Sequence, residues 1–151
     1  MSARTKARKR ALDVLFAADV RGVEVATVLA DEAARAASEP ERETSWLYAR
    51  EIVDGYIDHS VEIDEAITSY ARGWTLERMP AVDRAVLRCA IWELMYNREV
   101  PSTVVIAEAV DLVQELGIKN SAPATSSVDP ERDLSRGNWF ELATLEDFAG
   151  D

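Results

Sequence analysis

A chain of 151 residues with 48% hydrophobic content can bury one full core, so a single domain is expected. A lone cysteine, Cys89, excludes an internal disulfide framework and fits a reducing cytosol; no stretch approaches the roughly 18 apolar residues of a membrane span. The net charge of -11 argues against indiscriminate binding of polyanions, and the charged start has no apolar run behind it, so neither secretion nor membrane insertion is indicated and a cytoplasmic location is expected.

Apolar residues recur at three and four rather than two up to residue 117, which predicts an all-α chain of six helices. The first runs from Ala3 to Val20, with Ala7, Ala11, Leu12, Leu15, Phe16 and Ala18 as its stripe and Gly22 just beyond its end. The second spans Glu24 to Ala37 and stops at Ser38-Glu39-Pro40, where proline's missing N–H prevents continuation. A third starts with Thr44 or Ser45 as N-cap and passes through Trp46, Ile52, Val53 and Tyr56; a fourth carries Val61, Ile63, Ile67 and Tyr70.

The fifth helix is the most apolar, with Pro80 in its first turn, Asp83 favouring the positive end of the helix dipole, and Val82, Val86, Leu87, Cys89, Ile91 and Leu94 wrapping several faces. It is expected to be central. The sixth presents Val104, Val105, Ala109, Val110, Val113 and Leu116 and stops at Gly117. Residues 121 to 138 read as a linker that cannot bury a face of its own, and residues 138 to 148 as a short acidic amphipathic segment.

Charge is distributed unevenly along this chain. Residues 1 to 10 hold Arg4, Lys6, Arg8, Lys9 and Arg10 and no acidic side chain, whereas residues 11 to 120 hold 10 basic and 21 acidic ones. At about 100° per residue the five cations fall all around a helix axis, so no orientation pairs them all with the core and this turn is expected to project into solvent. Cations at a helix N-terminus also oppose the macrodipole, so folding does not ask for them there. A phosphate-binding arm explains them, with single-stranded RNA a better match than duplex DNA for an acidic body. Catalysis finds too few parts: His59 is the sole histidine, the exposed carboxylates read as solvation, and no glycine-rich phosphate loop is present. No cofactor or metal is expected, and a non-enzymatic binding module is the leading class.

Three strings together resemble a known family: Arg8-Lys9-Arg10-Ala11-Leu12-Asp13-Val14-Leu15-Phe16, then Ala81 to Leu94, then Val100-Pro101 through Ile106-Ala107-Glu108-Ala109-Val110. Over about residues 3 to 120 the chain resembles the NusB transcription antitermination factors, and Gly73 to Pro80 looks like their actinobacterial members. The resemblance implies a fold of two small helical bundles and recognition of the boxA element of ribosomal RNA leader transcripts, together with NusE, a small-subunit ribosomal protein, within the elongating polymerase complex and its other Nus factors. A homodimer is also compatible. By matching position, Arg4, Lys6, Arg8, Lys9 and Arg10 fall in the family's RNA-binding arm, with Tyr70, Lys119 and Asn120 near the RNA path. Phe16, Asp83 and Arg84 fall where the family meets its protein partner.

The chain departs from the family after Asn120-Ser121, where the usual last helix is missing or replaced. Two other readings use the same residues. A TetR-like DNA-binding regulator shares the basic start but would need a recognition helix where Ser38 to Glu43 is acidic and broken. A protein-interaction or RNA-binding module of the same fold, without antitermination activity, would follow from the altered C-terminus.

Overall fold

The protein's computed structural model describes residues 2–70 and 76–117, the side chains of residues 70 and 117 apart, and among them it contains six α-helices and no strand. They are α1 (Ala3–Arg21), α2 (Val25–Ala37), α3 (Glu43–Asp58), α4 (Ser60–Tyr70), α5 (Ala81–Tyr96) and α6 (Ser102–Leu112), with single 3₁₀ turns at Pro40–Arg42 and Leu76–Arg78. A π-helical turn, Val113–Gly117, closes α6.

Local chemistry sets most boundaries. Ser2 caps α1 by accepting the Thr5 N–H at 3.1 Å, and Gly22 ends it at φ 66°, a left-handed conformation that costs glycine little. Two expected starts move. The Pro40–Arg42 turn winds directly into α3, so that helix begins at Glu43 and Ser45 lies inside it, buried. Pro80 caps α5 from outside rather than sitting in its first turn.

Helices α1, α2 and α3 pack together, α5 packs with α4 and α6, and α1 and α3 both lie against α5, which joins the two bundles. Arg8 meets Glu93 and Asp19 meets Arg84, so α1 and α5 run antiparallel. One continuous core results, with Leu15, Ile52, Ile63 and Ile91 almost wholly removed from solvent. Where α3 crosses α5, Gly55 lies under the indole of Trp92 so closely that a Cβ there would sit 1.8 Å from Nε1. Glycine at this crossing is a packing requirement. His59, at the α3–α4 junction, stacks on Tyr96 with ring centroids 3.9 Å apart. Val61 and Val104, expected on apolar stripes, are instead exposed. The linker and acidic segment expected after residue 120 lie outside the described residues.

Candidate nucleic-acid interface

The N-terminal half of α1 does not project as a unit. Arg8 precedes Ala11 by three and Leu12 by four, which places it on the apolar stripe, and it is only 5% exposed. Its Nε donates to Glu93 Oε1 at 2.7 Å and its Nη2 to Oε2 at 2.9 Å. Glu93, 1% exposed, also accepts from the Tyr48 hydroxyl at 2.9 Å, and the Asn97 amide donates to that hydroxyl at 2.9 Å. Burial works against the Arg8 charge, but the hydrogen bonds and charge of Glu93 outweigh it and hold the guanidinium pKa above its ordinary value. Arg8 is thus a structural cation, and the expectation that this whole turn projects into solvent is corrected.

The other four cations grade outward from this anchor. Lys9 reaches Glu115 of the π turn at 3.0 Å, and Arg10 Nε donates to Ser45 Oγ at 2.9 Å; both side chains are half-buried. Arg4 is exposed, with its guanidinium carbon 4.5 Å above the centre of the Tyr48 ring, a cation–π placement that leaves its donors free to turn outward. Lys6 is exposed, and its ammonium makes no ion pair or hydrogen bond among the described residues. Thr5, between them, donates to Glu108 at 3.0 and 3.2 Å, tying the first turn to α6. The result is a short outward-facing cationic turn fixed by an inward-facing arginine.

A second polar network joins the other end of α1 to α5. Arg84 Nε donates to Asp19 at 2.6 Å, while its Nη1 reaches the carbonyls of Leu76 and Met79 in the turn before α5. Arg88 donates to both oxygens of Asp64 at 3.0 and 3.2 Å, and Asp64 accepts from the Tyr56 hydroxyl. Asp83 lies fully buried in the first turn of α5, where an acidic side chain favours the helix dipole. Asp83 is thus enclosed, and Arg84, 15% exposed, is engaged by Asp19 and the two carbonyls. Phe16 is half-buried on the flank of the core; one turn on, Val20 is 62% exposed, and Val23 follows beyond the Gly22 cap at 37%. Tyr70's side chain, Lys119 and Asn120 lie outside the described residues.

A family model described as the NusB family matches residues 5–123. The chain belongs to the NusB family. It is 65% identical over 122 residues to the transcription antitermination protein NusB of Leifsonia xyli subsp. xyli, covering 81% of this chain and 85% of that one. It is 58% identical over 122 residues to the protein of the same name from Clavibacter sepedonicus, covering 81% and 89%. Among solved structures, T. maritima NusB superposes with a TM-score of 0.70 at 22% identity over 100% of this chain and 93% of that one, which speaks for the fold. A protein chain in the crystal structure of a plectonemic RNA supercoil gives 0.73 at 25% identity over 99% and 96%.

Within this chain, sequence reasoning located the cationic turn but missed what holds it. Tyr48, Glu93, Asn97 and Glu108 complete the anchor, and a signal for Glu93 existed: a carboxylate between Trp92 and Leu94 on a helix that is apolar all round needs an internal partner. Among the described residues no group of three or more His, Cys, Asp or Glu side chains could hold a metal ion. No helix there is long and apolar enough to cross a membrane.

Proposed function

We propose that this chain is a transcription antitermination factor that binds single-stranded boxA RNA of ribosomal RNA leader transcripts together with NusE, without catalysing a reaction. The observation that carries this reading is the display of Arg4 and Lys6 on the first turns of α1, held in register by the buried Arg8–Glu93 pair on a body that is otherwise acidic. Exposed cations on a rigid helix hold phosphates, while an acidic body disfavours other polyanions and suits a basic ribosomal protein. Similarity to relatives named transcription antitermination proteins supports the role, as does a fold neighbour in an RNA crystal structure.

For the protein partner, Phe16, Val20 and Val23 offer an apolar strip at the far end of α1 from the cationic turn. RNA and partner would then engage opposite ends of one helix and leave each other room. Within the elongating polymerase complex, other Nus factors would join this pair. The test is a binding titration of the full chain with boxA RNA, alone and with NusE, at several salt concentrations. Tighter, salt-sensitive binding in the presence of NusE is expected; no binding to boxA in either case overturns the reading.

A further inference from the structure

A cleft of about 260 Å³ lies where one face of α1, one face of α2 and the start of α3 converge, and of its lining residues the RNA reading above uses only Arg10. Arg10 and Asp13 line it from α1, Glu32 and Arg35 from α2, and Arg42 and Trp46 from the third side. Two of these side chains have capacity to spare. No ion pair or hydrogen bond among the described residues holds the Asp13 carboxylate, while Arg10 commits only its Nε, to Ser45. Glu32 and Arg35 pair with each other at 3.2 Å, and Arg42 pairs with Glu39.

An open carboxylate and an open guanidinium three residues apart on one helix face match a ligand with paired N–H donors at one end and an anion at the other. Guanine presents two adjacent donors, N1–H and the 2-amino group, that meet the two oxygens of one carboxylate; adenine and cytosine each place a ring acceptor beside their amino group. The volume admits one nucleobase but falls below the about 300–1,000 Å³ typical of sites for drug-sized ligands. The Asp13 side chain is exposed to solvent; partial desolvation, then the nearby charge of Glu32, raises its pKa, while the charges of Arg10 and Lys9 pull the other way.

We propose that this cleft is a guanine-nucleotide pocket, with Asp13 accepting from the Watson–Crick edge of the base and Arg10 holding its phosphate. The site deepens the RNA reading and rests on it in one respect: Arg10 belongs to the same basic segment, so a strand lying along α1 would bring a nucleotide to the cleft. Free nucleotide and a guanosine within RNA share this chemistry, and the two are separable by experiment.

The full chain is titrated with guanosine, inosine and adenosine monophosphates, and with short single-stranded RNAs that differ only by one guanosine-to-adenosine change. A preference for guanosine of about tenfold or more is expected, from a two-bonded contact to a base edge. Inosine, which lacks the 2-amino group, should fall between, a result that depends on no mutation. Asp13→Asn should abolish the preference; because it also removes a negative charge near Arg10, the affinity for adenosine-containing RNA should hold or rise, not fall. Preference with free nucleotides identifies a mononucleotide as sufficient; preference only within RNA identifies the strand as the source. Both carry the proposal. Equal binding of guanosine and adenosine by the unaltered chain, or a preference that survives Asp13→Asn, overturns it. If salt-dependent RNA binding persists in that event, the wider RNA reading stands without the pocket.

Discussion

Arg8 and Glu93 form a buried, two-bonded ion pair between α1 and α5, at 2.7 and 2.9 Å, with Tyr48 supplying a third donor to the same carboxylate. Removing one partner strands the other charge inside the protein, which is far more costly than losing a surface pair. Arg8→Ala should therefore destabilise the fold by about 3–5 kcal/mol, read as a lower urea midpoint in equilibrium unfolding. A change below about 1 kcal/mol, the range of exposed pairs, would contradict the anchoring role.

Arg4 and Lys6 should behave in the opposite way. Both are exposed, so Arg4→Gln with Lys6→Gln should leave the melting temperature nearly unchanged. If each holds one phosphate of a single strand, the slope of log affinity against log salt should become shallower by about 1.4, roughly 0.7 for each charge. An unchanged slope would remove this turn from the RNA contact.

Gly55→Ala tests the crossing of α3 and α5. An added methyl meets the Trp92 indole at a separation no packed side chain tolerates, so the ring must leave its place over the core. Overpacking of this kind costs about 1–3 kcal/mol, and it outweighs the gain of up to about 1 kcal/mol that alanine normally brings to a helix interior. Thermal unfolding should show a lowered midpoint; a raised one would mean that Trp92 has room to move.

Alkaline pH should weaken the fold earlier than the arginine content would suggest. Burial first, then the charge of Glu93, raises Tyr48 and Cys89 above their ordinary values of 10.0 and 9.0, and burial with Asp64 raises Tyr56. Above about pH 9 the unfolded chain releases these protons while the folded chain retains them, so stability declines as pH rises. Tyr48→Phe removes one such group and should flatten the decline between pH 10 and 11, measured by denaturant unfolding across that range. A steeper decline in the variant would place the pH sensitivity elsewhere.

The helices were legible because each boundary carries a local signal: Gly22 after α1, Ser38 to Pro40 after α2, Pro101 before α6. Side-chain partnerships were not, since Arg8 and Glu93 are 85 positions apart and nothing local to either names the other. Treating the basic segment as one solvated turn overlooked that a helix 3.6 residues around must turn part of any dense charge run inward. Arg8 drew that position because Ala7, Ala11 and Leu12 surround it on the stripe. Asp83 illustrates the same limit, for its first-turn place was readable and its complete burial was not. Gly55 was readable in principle, as an isolated glycine within a helical pattern points to close packing.

Cys89, the chain's single thiol, is buried and with Arg8 and Glu93 lines a void of only about 10 Å³. Burial that suppresses the thiolate also bars reagents, so a thiol-specific dye can reach Cys89 only when α5 parts from its neighbours. The protein thereby carries its own probe: with a reagent slow relative to reclosing, the labelling rate reports the fraction of molecules in which α5 has opened, with no engineered label. Any ligand or partner that tightens the seam between the two bundles would announce itself as a longer labelling half-life.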